Sequence, residues 1–290
     1  MLRALFLFAC LVLTSSLSSA APLRLNLKVA MEKHLVDVSA EATQQGYRGK
    51  GLRLKITNKS GSQLMLTMDQ GLIFSPEEKR QQDLVLAGGE TNLFVQPFKD
   101  ATLDVQTFCA EASDAAPTTG SVYTFSKTGD TQLVQVLQYI KRSYMFDALG
   151  QSAVWVITDG YNPATAYDAG RDVQARKLVD FLVSVTGRKA DAYFTQYAQS
   201  TTPGEPVMQP KPLKIVAQFE QLLDAPRKLT LGVYDEKGTM IQKVFQDQMF
   251  GRAGHRFKVE FQSADVAAGR YFIQLKEGEA VLQETAVRVE

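Results

Sequence analysis

Gly51-Leu52-Arg53-Leu54-Lys55-Ile56-Thr57, then the turn Asn58-Lys59-Ser60-Gly61, then Leu64, Leu66 and Met68, alternate apolar and polar residues on both sides of a break. Strand side chains point to opposite faces in turn, so a period of two marks a sheet with one buried and one wet face. The pattern extends both ways. Upstream, Leu23, Leu25 and Leu27 alternate with Arg24, Asn26 and Lys28. Downstream, Leu72 to Phe74, Leu84 to Leu86, Leu93 to Val95 and Leu103 to Phe108 form short apolar runs between Gly, Asn and Pro breaks. About eight short strands in about ninety residues predict a β-sandwich over residues 21–115.

The pattern changes after Pro117. Asp130 is a candidate N-cap for a helix with Leu133, Leu137, Ile140 and Tyr144 on one face. Gln151 to Thr158 reads as a short buried helix. A third helix runs from about Asp168 to Val185, with Ala175, Leu178, Val179, Leu182 and Val183 on its apolar stripe and Gly187 just past its end. Residues 116–198 are therefore expected to form a helical subdomain packed on the sandwich. Residues 199–212 hold four of the ten prolines. Proline fixes φ and lacks an N–H, so this segment is expected to be a linker. Strand patterning returns over 213–290, with Asp235-Glu236-Lys237-Gly238 as a hairpin turn. The fold class expected is mainly β with a helical block (α+β).

The first twenty residues read as a cleavable leader. Arg3 gives the positive start, Leu5 to Leu13 the apolar run, and Ser18 and Ala20 the small residues before a cut after Ala20. The run is shorter than the about twenty residues that span a bilayer, so the mature chain is expected to have no transmembrane segment. Leu7-Phe8-Ala9-Cys10 faintly resembles a lipoprotein box, but Cys10 lies inside the apolar run. With Cys10 removed, Cys109 is the one cysteine left and no internal disulfide forms. The expected location is outside the cytoplasm: secreted, at the cell surface, or periplasmic. The formal net charge is +1, which lacks the basic surplus of a nucleic-acid binder.

The last residues carry a resemblance. Val233-Tyr234-Asp235-Glu236-Lys237-Gly238, Ala253-Gly254-His255-Arg256-Phe257-Lys258-Val259 and Ala268-Gly269-Arg270-Tyr271-Phe272-Ile273-Gln274-Leu275 are similar in order and spacing to FlgD-type immunoglobulin-like domains and to the C-terminal sorting domains of type IX secretion. The resemblance implies an Ig-like β-sandwich over 213–290. It implies either a stalk or a tag read by outer-membrane secretion machinery. A sorting domain usually ends in a basic strand, whereas this chain ends Thr285-Ala286-Val287-Arg288-Val289-Glu290.

Two shorter blocks, Phe108-Cys109-Ala110 and Gln151-Ser152-Ala153-Val154-Trp155, resemble motifs of bacterial surface thioester domains. In those domains a Cys sulfur joined to a Gln carbonyl captures amines covalently. The resemblance makes Cys109 the thiol, with Gln151 and Trp155 nearby, and Trp155 part of the dry pocket such a bond needs. Gly150 stands where the family has Thr, and the bond-forming Gln belongs to a later motif, for which Gln199 is a loose candidate. The ordinary alternative is a buried structural Cys and a core Trp. A Cys-dependent hydrolase, with His34 as base to Cys109, is a further alternative. Asp159, Asn162 and Asp168 suit a calcium loop or plain turns.

The function expected is that of an exported, non-catalytic binding or structural protein, with a protein or glycan partner at the cell surface. No nucleic acid, cofactor or metal is expected. The alternatives are a covalent adhesin and a Cys-dependent hydrolase.

Overall fold

The computed structural model describes residues 21–43, 48–88, 92–200, 202 and 204–289; the expected leader lies outside them. Among the described residues the chain is mainly β, with four α-helices. In order come β1 (Leu23–Asn26), α1 (Leu27–Glu32), β2 (Val36–Ala42), β3 (Gly49–Asn58), β4 (Leu64–Thr67), β5 (Leu72–Pro76), β6 (Leu84–Leu86), β7 (Leu93–Val95) and β8 (Asp100–Cys109). Then follow β9 (Val122–Thr128), α2 (Thr131–Arg142), α3 (Ala148–Thr158), α4 (Asp172–Thr186), β10 (Tyr193–Gln199) and β11 (Met208–Leu222). The last five are β12 (Arg227–Asp235), β13 (Met240–Phe250), β14 (Gly254–Gln262), β15 (Gly269–Glu277) and β16 (Ala280–Val289).

The first sheet corrects the sandwich expected over 21–115. Six strands close into an antiparallel barrel in the order β2-β3-β8-β6-β5-β9. β9 pairs back to β2 through Tyr123–Ala40 and Val122–Glu41. Alternation dictates which side chains face inward; whether the sheet closes depends on twist and stagger, which a period of two does not encode. Leu52, Leu54 and Ile56 point inward and are fully buried, as alternation requires. Their polar neighbours pair across the outer face, Arg53 with Asp104 at 2.8 Å and Lys55 with Asp100 at 2.9 Å. A small sheet, β1-β4-β7, adjoins the barrel. Leu27, read as a strand residue, instead begins α1: the Asn26 side chain accepts from the Val29 N–H and caps the helix, and Leu27 and Ala30 enter the barrel core.

The helices sit where the outer faces of β5, β6 and β8 would be wet. Ile73, Val85 and Phe108 point out of the barrel into a second core with Leu133, Leu137, Ile140, Val154 and Leu178. Asp130 caps α2 through the Leu133 N–H, and Gly187 ends α4 with φ of 66°. Tyr144, expected on the buried face of α2, lies past its end and is exposed. The segment 116–198 is not wholly helical, since β9 belongs to the barrel and β10 to a later sheet.

Over the last residues two sheets, β10-β11-β14 and β13-β12-β15-β16, face each other across a third core built on Phe219, Leu231, Val259, Phe261 and Ile273. No helix among the described residues is long and apolar enough to cross a membrane.

The segment 199–212 is corrected too. Its described part is no free spacer. The Ala116 N–H donates to Glu205 O at 2.9 Å and the Met208 N–H to Ala112 O at 3.0 Å, and Val207 is fully buried in the barrel core. Prolines at 206, 210 and 212 are compatible with this because the partners are loop carbonyls and an edge, not a full ladder. β11 then runs on for fifteen residues. Val216 enters the helical core, while Ile215, Ala217 and Phe219 enter the third core.

Val207→Ala is therefore expected to lower unfolding free energy by about 1–3 kcal/mol. Urea denaturation checks this; a spacer residue would show no effect. Trp155 fluorescence and hydrogen exchange in β12 and β15 are expected to report one coincident transition.

Candidate functional site

The end of β8 meets the side of α3. Successive residues of β8 point opposite ways, so Phe108 enters the helical core and Cys109 the barrel core. On α3, Trp155 faces the barrel core while Val154 faces the helical one. Gln151, fully buried, stands between them. Its Oε1 accepts from the Cys109 N–H at 2.9 Å and its Nε2 donates to Cys109 O at 2.9 Å. The amide thus imitates one rung of a β-ladder and completes the edge of β8 opposite Leu84.

Close approach of α3 depends on Gly150. A Cβ there would sit 1.9 Å from Met145 O and 3.1 Å from the Phe108 ring. The Asp147 carboxylate caps α3 through the Leu149 N–H and also receives the Arg171 guanidinium at 2.6 Å.

The structure thus brings Cys109, Gln151 and Trp155 together. Cys109 is fully buried, and burial pushes its thiol well above the ordinary range, with the charges of Glu111 and Asp159 adding to the shift. A thiolate is the nucleophilic form, so this sulfur is held inert. Both polar ends of Gln151 are engaged by the Cys109 peptide groups. Gln199 is held on the same helix, its amide donating to Ala148 O at 3.1 Å and Ser152 Oγ at 3.2 Å. His34 is exposed, and His255 lies in the third-core sandwich, stacked on Phe257.

Around this joint lies a polar hub that sequence patterning did not reveal. Glu111 accepts from the Asp83 N–H at 2.8 Å and Asp159 from the Ala112 N–H at 2.7 Å. Gln82, fully buried, donates to Asp114 O, and the buried Tyr123 hydroxyl donates to Gln82 O at 3.1 Å. Trp155 Nε1 and Gln82 Oε1 are buried without a partner among the described residues. Burial raises Glu111 to about 7, against the Asp83 N–H bond, with Asp83, Asp159 and Asp114 adding negative charge. Asp159 is raised by burial as well. A cleft of about 320 Å³ opens beside Glu111, between Ile73, Lys127 and Thr158.

The candidate calcium residues are turn residues here. Asn162 Oδ1 accepts from the Ala164 and Asp191 N–H groups, Asp168 caps the Ala169–Arg171 turn and pairs with Arg171, and Asp159 holds Ala112. No group of three or more His, Cys, Asp or Glu side chains among the described residues is placed to hold a metal ion.

No family model matches this chain, and no curated protein matches it.

Gln151→Leu leaves the Cys109 N–H and C=O unpaired in a dry interior, so a loss of about 2–4 kcal/mol is expected by urea denaturation. Gly150→Ala is expected to cost at least as much. Glu111 has a folded value above its ordinary 4.5. The native state therefore holds its proton longer than the unfolded one, and stability falls as pH rises from about 4.5 through 7. Glu111→Gln is expected to flatten that fall, measured as denaturation midpoints between pH 4 and 8.

Proposed function

We propose that this chain is an exported, non-catalytic binding and structural protein of the cell surface or periplasm. In this reading the barrel and helices form the body, and an Ig-like module over 213–290 serves as its stalk. The observation that carries the reading is the state of the Cys109, Gln151 and Trp155 constellation. Cys109 is fully buried, with its thiol pushed up by burial, and the Gln151 amide beside it works as a backbone partner. A nucleophile for hydrolysis or for amine capture needs access and a thiolate or an acyl bond, and burial works against each.

The stalk reading is favoured over a detachable sorting tag by β11, which the terminal sandwich shares with the helical core. A module so joined holds a fixed orientation to the body. Recognition of 213–290 by outer-membrane secretion machinery remains the competing role for the same surface.

Intact mass and envelope binding test the proposal together. The purified chain is expected to show the full formula mass, without the about 17 Da deficit of a thioester, and no gain on methylamine treatment. It is expected to cosediment with cell envelopes, and Cys109→Ala to do so equally. A mass deficit, or loss of binding in that variant, overturns the reading in favour of the covalent adhesin.

A further inference from the structure

Residues 204–208 run along the loop 110–116 as a strap. We propose that loop and strap form a pH-sensitive latch, which opens locally as Glu111 ionises and uncovers the part of the barrel core that holds Cys109 and Trp155.

The strap is fastened to this one loop by backbone bonds. The Gly204 N–H donates to Ala116 O at 3.3 Å and the Ala116 N–H to Glu205 O at 2.9 Å. The Val207 N–H donates to Asp114 O at 3.3 Å and the Met208 N–H to Ala112 O at 3.0 Å. Ala112, Ala116 and Val207 are fully buried in the core that also contains Cys109 and Trp155. The loop in turn is pinned by side chains. Glu111 accepts from the Asp83 N–H at 2.8 Å, Asp159 of α3 accepts from the Ala112 N–H at 2.7 Å, and Gln82 Nε2 donates to Asp114 O at 2.6 Å. Releasing the loop therefore releases the strap. Beyond the strap, β11 keeps its own partners, β10 from Lys214 to Ala217 and β14 from Lys214 to Leu222. The unit free to open is thus small.

The closed latch bears three penalties that water would relieve. Trp155 Nε1 and Gln82 Oε1, a donor and an acceptor, are buried without a partner among the described residues. The third penalty is charge. Half-buried Glu111 is surrounded by Asp83 from the segment before β6, Asp114 from its own loop and Asp159 from the end of α3. The Cys109 thiol and the Tyr123 hydroxyl feel the Glu111 charge from the core side. The cleft of about 320 Å³ beside Glu111 is also lined by Lys127 of β9 and by Asp130, the cap of α2. Protonated, Glu111 adds nothing to this crowding and still accepts from the Asp83 N–H. Ionised, it gains by turning into the cleft, and the hold on Asp83 goes with it. Burial and the neighbouring carboxylates raise Glu111 to about 7 in the closed form, against an ordinary 4.5. The open form gives up the proton first, so its population rises about tenfold per pH unit from about 4.5 to 7. Above that both forms are ionised and the rise ends.

Native-state hydrogen exchange on the full chain tests the latch, with each rate divided by its intrinsic value. Protection at the Ala112, Ala116, Val207 and Met208 amides is expected to fall together, about a hundredfold between pH 5 and pH 7. It is expected to be insensitive to urea below the unfolding transition, because a small opening exposes little surface. Glu111→Gln is expected to hold this protection nearly constant with pH. Asp83→Asn removes one like charge, is expected to shrink the fall severalfold, and serves if the first variant does not fold. Protection that does not change with pH overturns the latch. So does protection that falls with urea as steeply as in β12 and β15, which marks global unfolding. An unchanged pH response in a folded variant overturns it too.

Discussion

One strand holds this molecule together. β11 contributes to all that follows it and is anchored in all that precedes it. Val207, at its approach, lies in the barrel core; Val216 lies in the helical core; Ile215, Ala217 and Phe219 lie in the terminal core. A strand can do this because its side chains alternate, so a single backbone presents two independent apolar faces. Burying both faces demands a partner layer on each side. The helical core supplies one layer, over Val216, and the sheet holding β12 and β15 supplies the other. The helical block is consequently no appendage but the layer that keeps β11 and the outer faces of β5, β6 and β8 dry.

The same device recurs at β8, where Phe108 and Cys109 feed two cores. Here the strand ends while still buried, and its last peptide would lack a ladder partner. An unpaired buried peptide costs about as much as a lost hydrogen bond or more. Gln151 supplies both the donor and the acceptor, and Gly150 allows α3 near enough to do so. The chemistry suggested by a Cys near a Gln and a Trp is thereby absorbed into architecture. Geometry and backbone bonding, not residue identity, separate the two roles.

Much of this was legible in the sequence, and the losses have physical causes. Alternation at Leu52, Leu54 and Ile56 named the inward residues, and Asp130 and Gly187 marked real helix ends, because faces and caps are local properties. Barrel closure was not legible, since it depends on pairing β9 with β2 across about eighty residues of chain. α1 was missed because Leu23, Leu25 and Leu27 continue a period of two through Asn26, whose cap turns the chain. Proline density at 203–212 suggested a spacer, and only the tertiary partners of Glu205 and Met208 reveal an anchor. At the site, resemblance of short motifs put Cys109, Gln151 and Trp155 together. Glu111, Gln82 and Tyr123 left no pattern, because each acts on a backbone group distant in sequence.

The loop 110–116 is where these threads meet, and it accounts for an otherwise costly choice of residues. Glu111 and Asp159 are carboxylates in a desolvated, like-charged setting, which raises both. Apolar residues there would avoid that cost, but they could not accept the N–H groups of Asp83 and Ala112. The same short loop binds Gln82 through Asp114 O and receives the approach to β11 at Ala112 and Ala116. β6, α3 and β11 are thus knitted through one stretch of backbone, of which Ala112 and Ala116 are fully buried and Glu111 is half-buried. Raising the pH ionises Glu111 inside that knot, so the charge appears where the barrel, the helices and the strand leading to the terminal sandwich converge. Electrostatics at this single loop therefore bears on the cohesion of three cores, and the carboxylates are explained as backbone acceptors without any reacting partner.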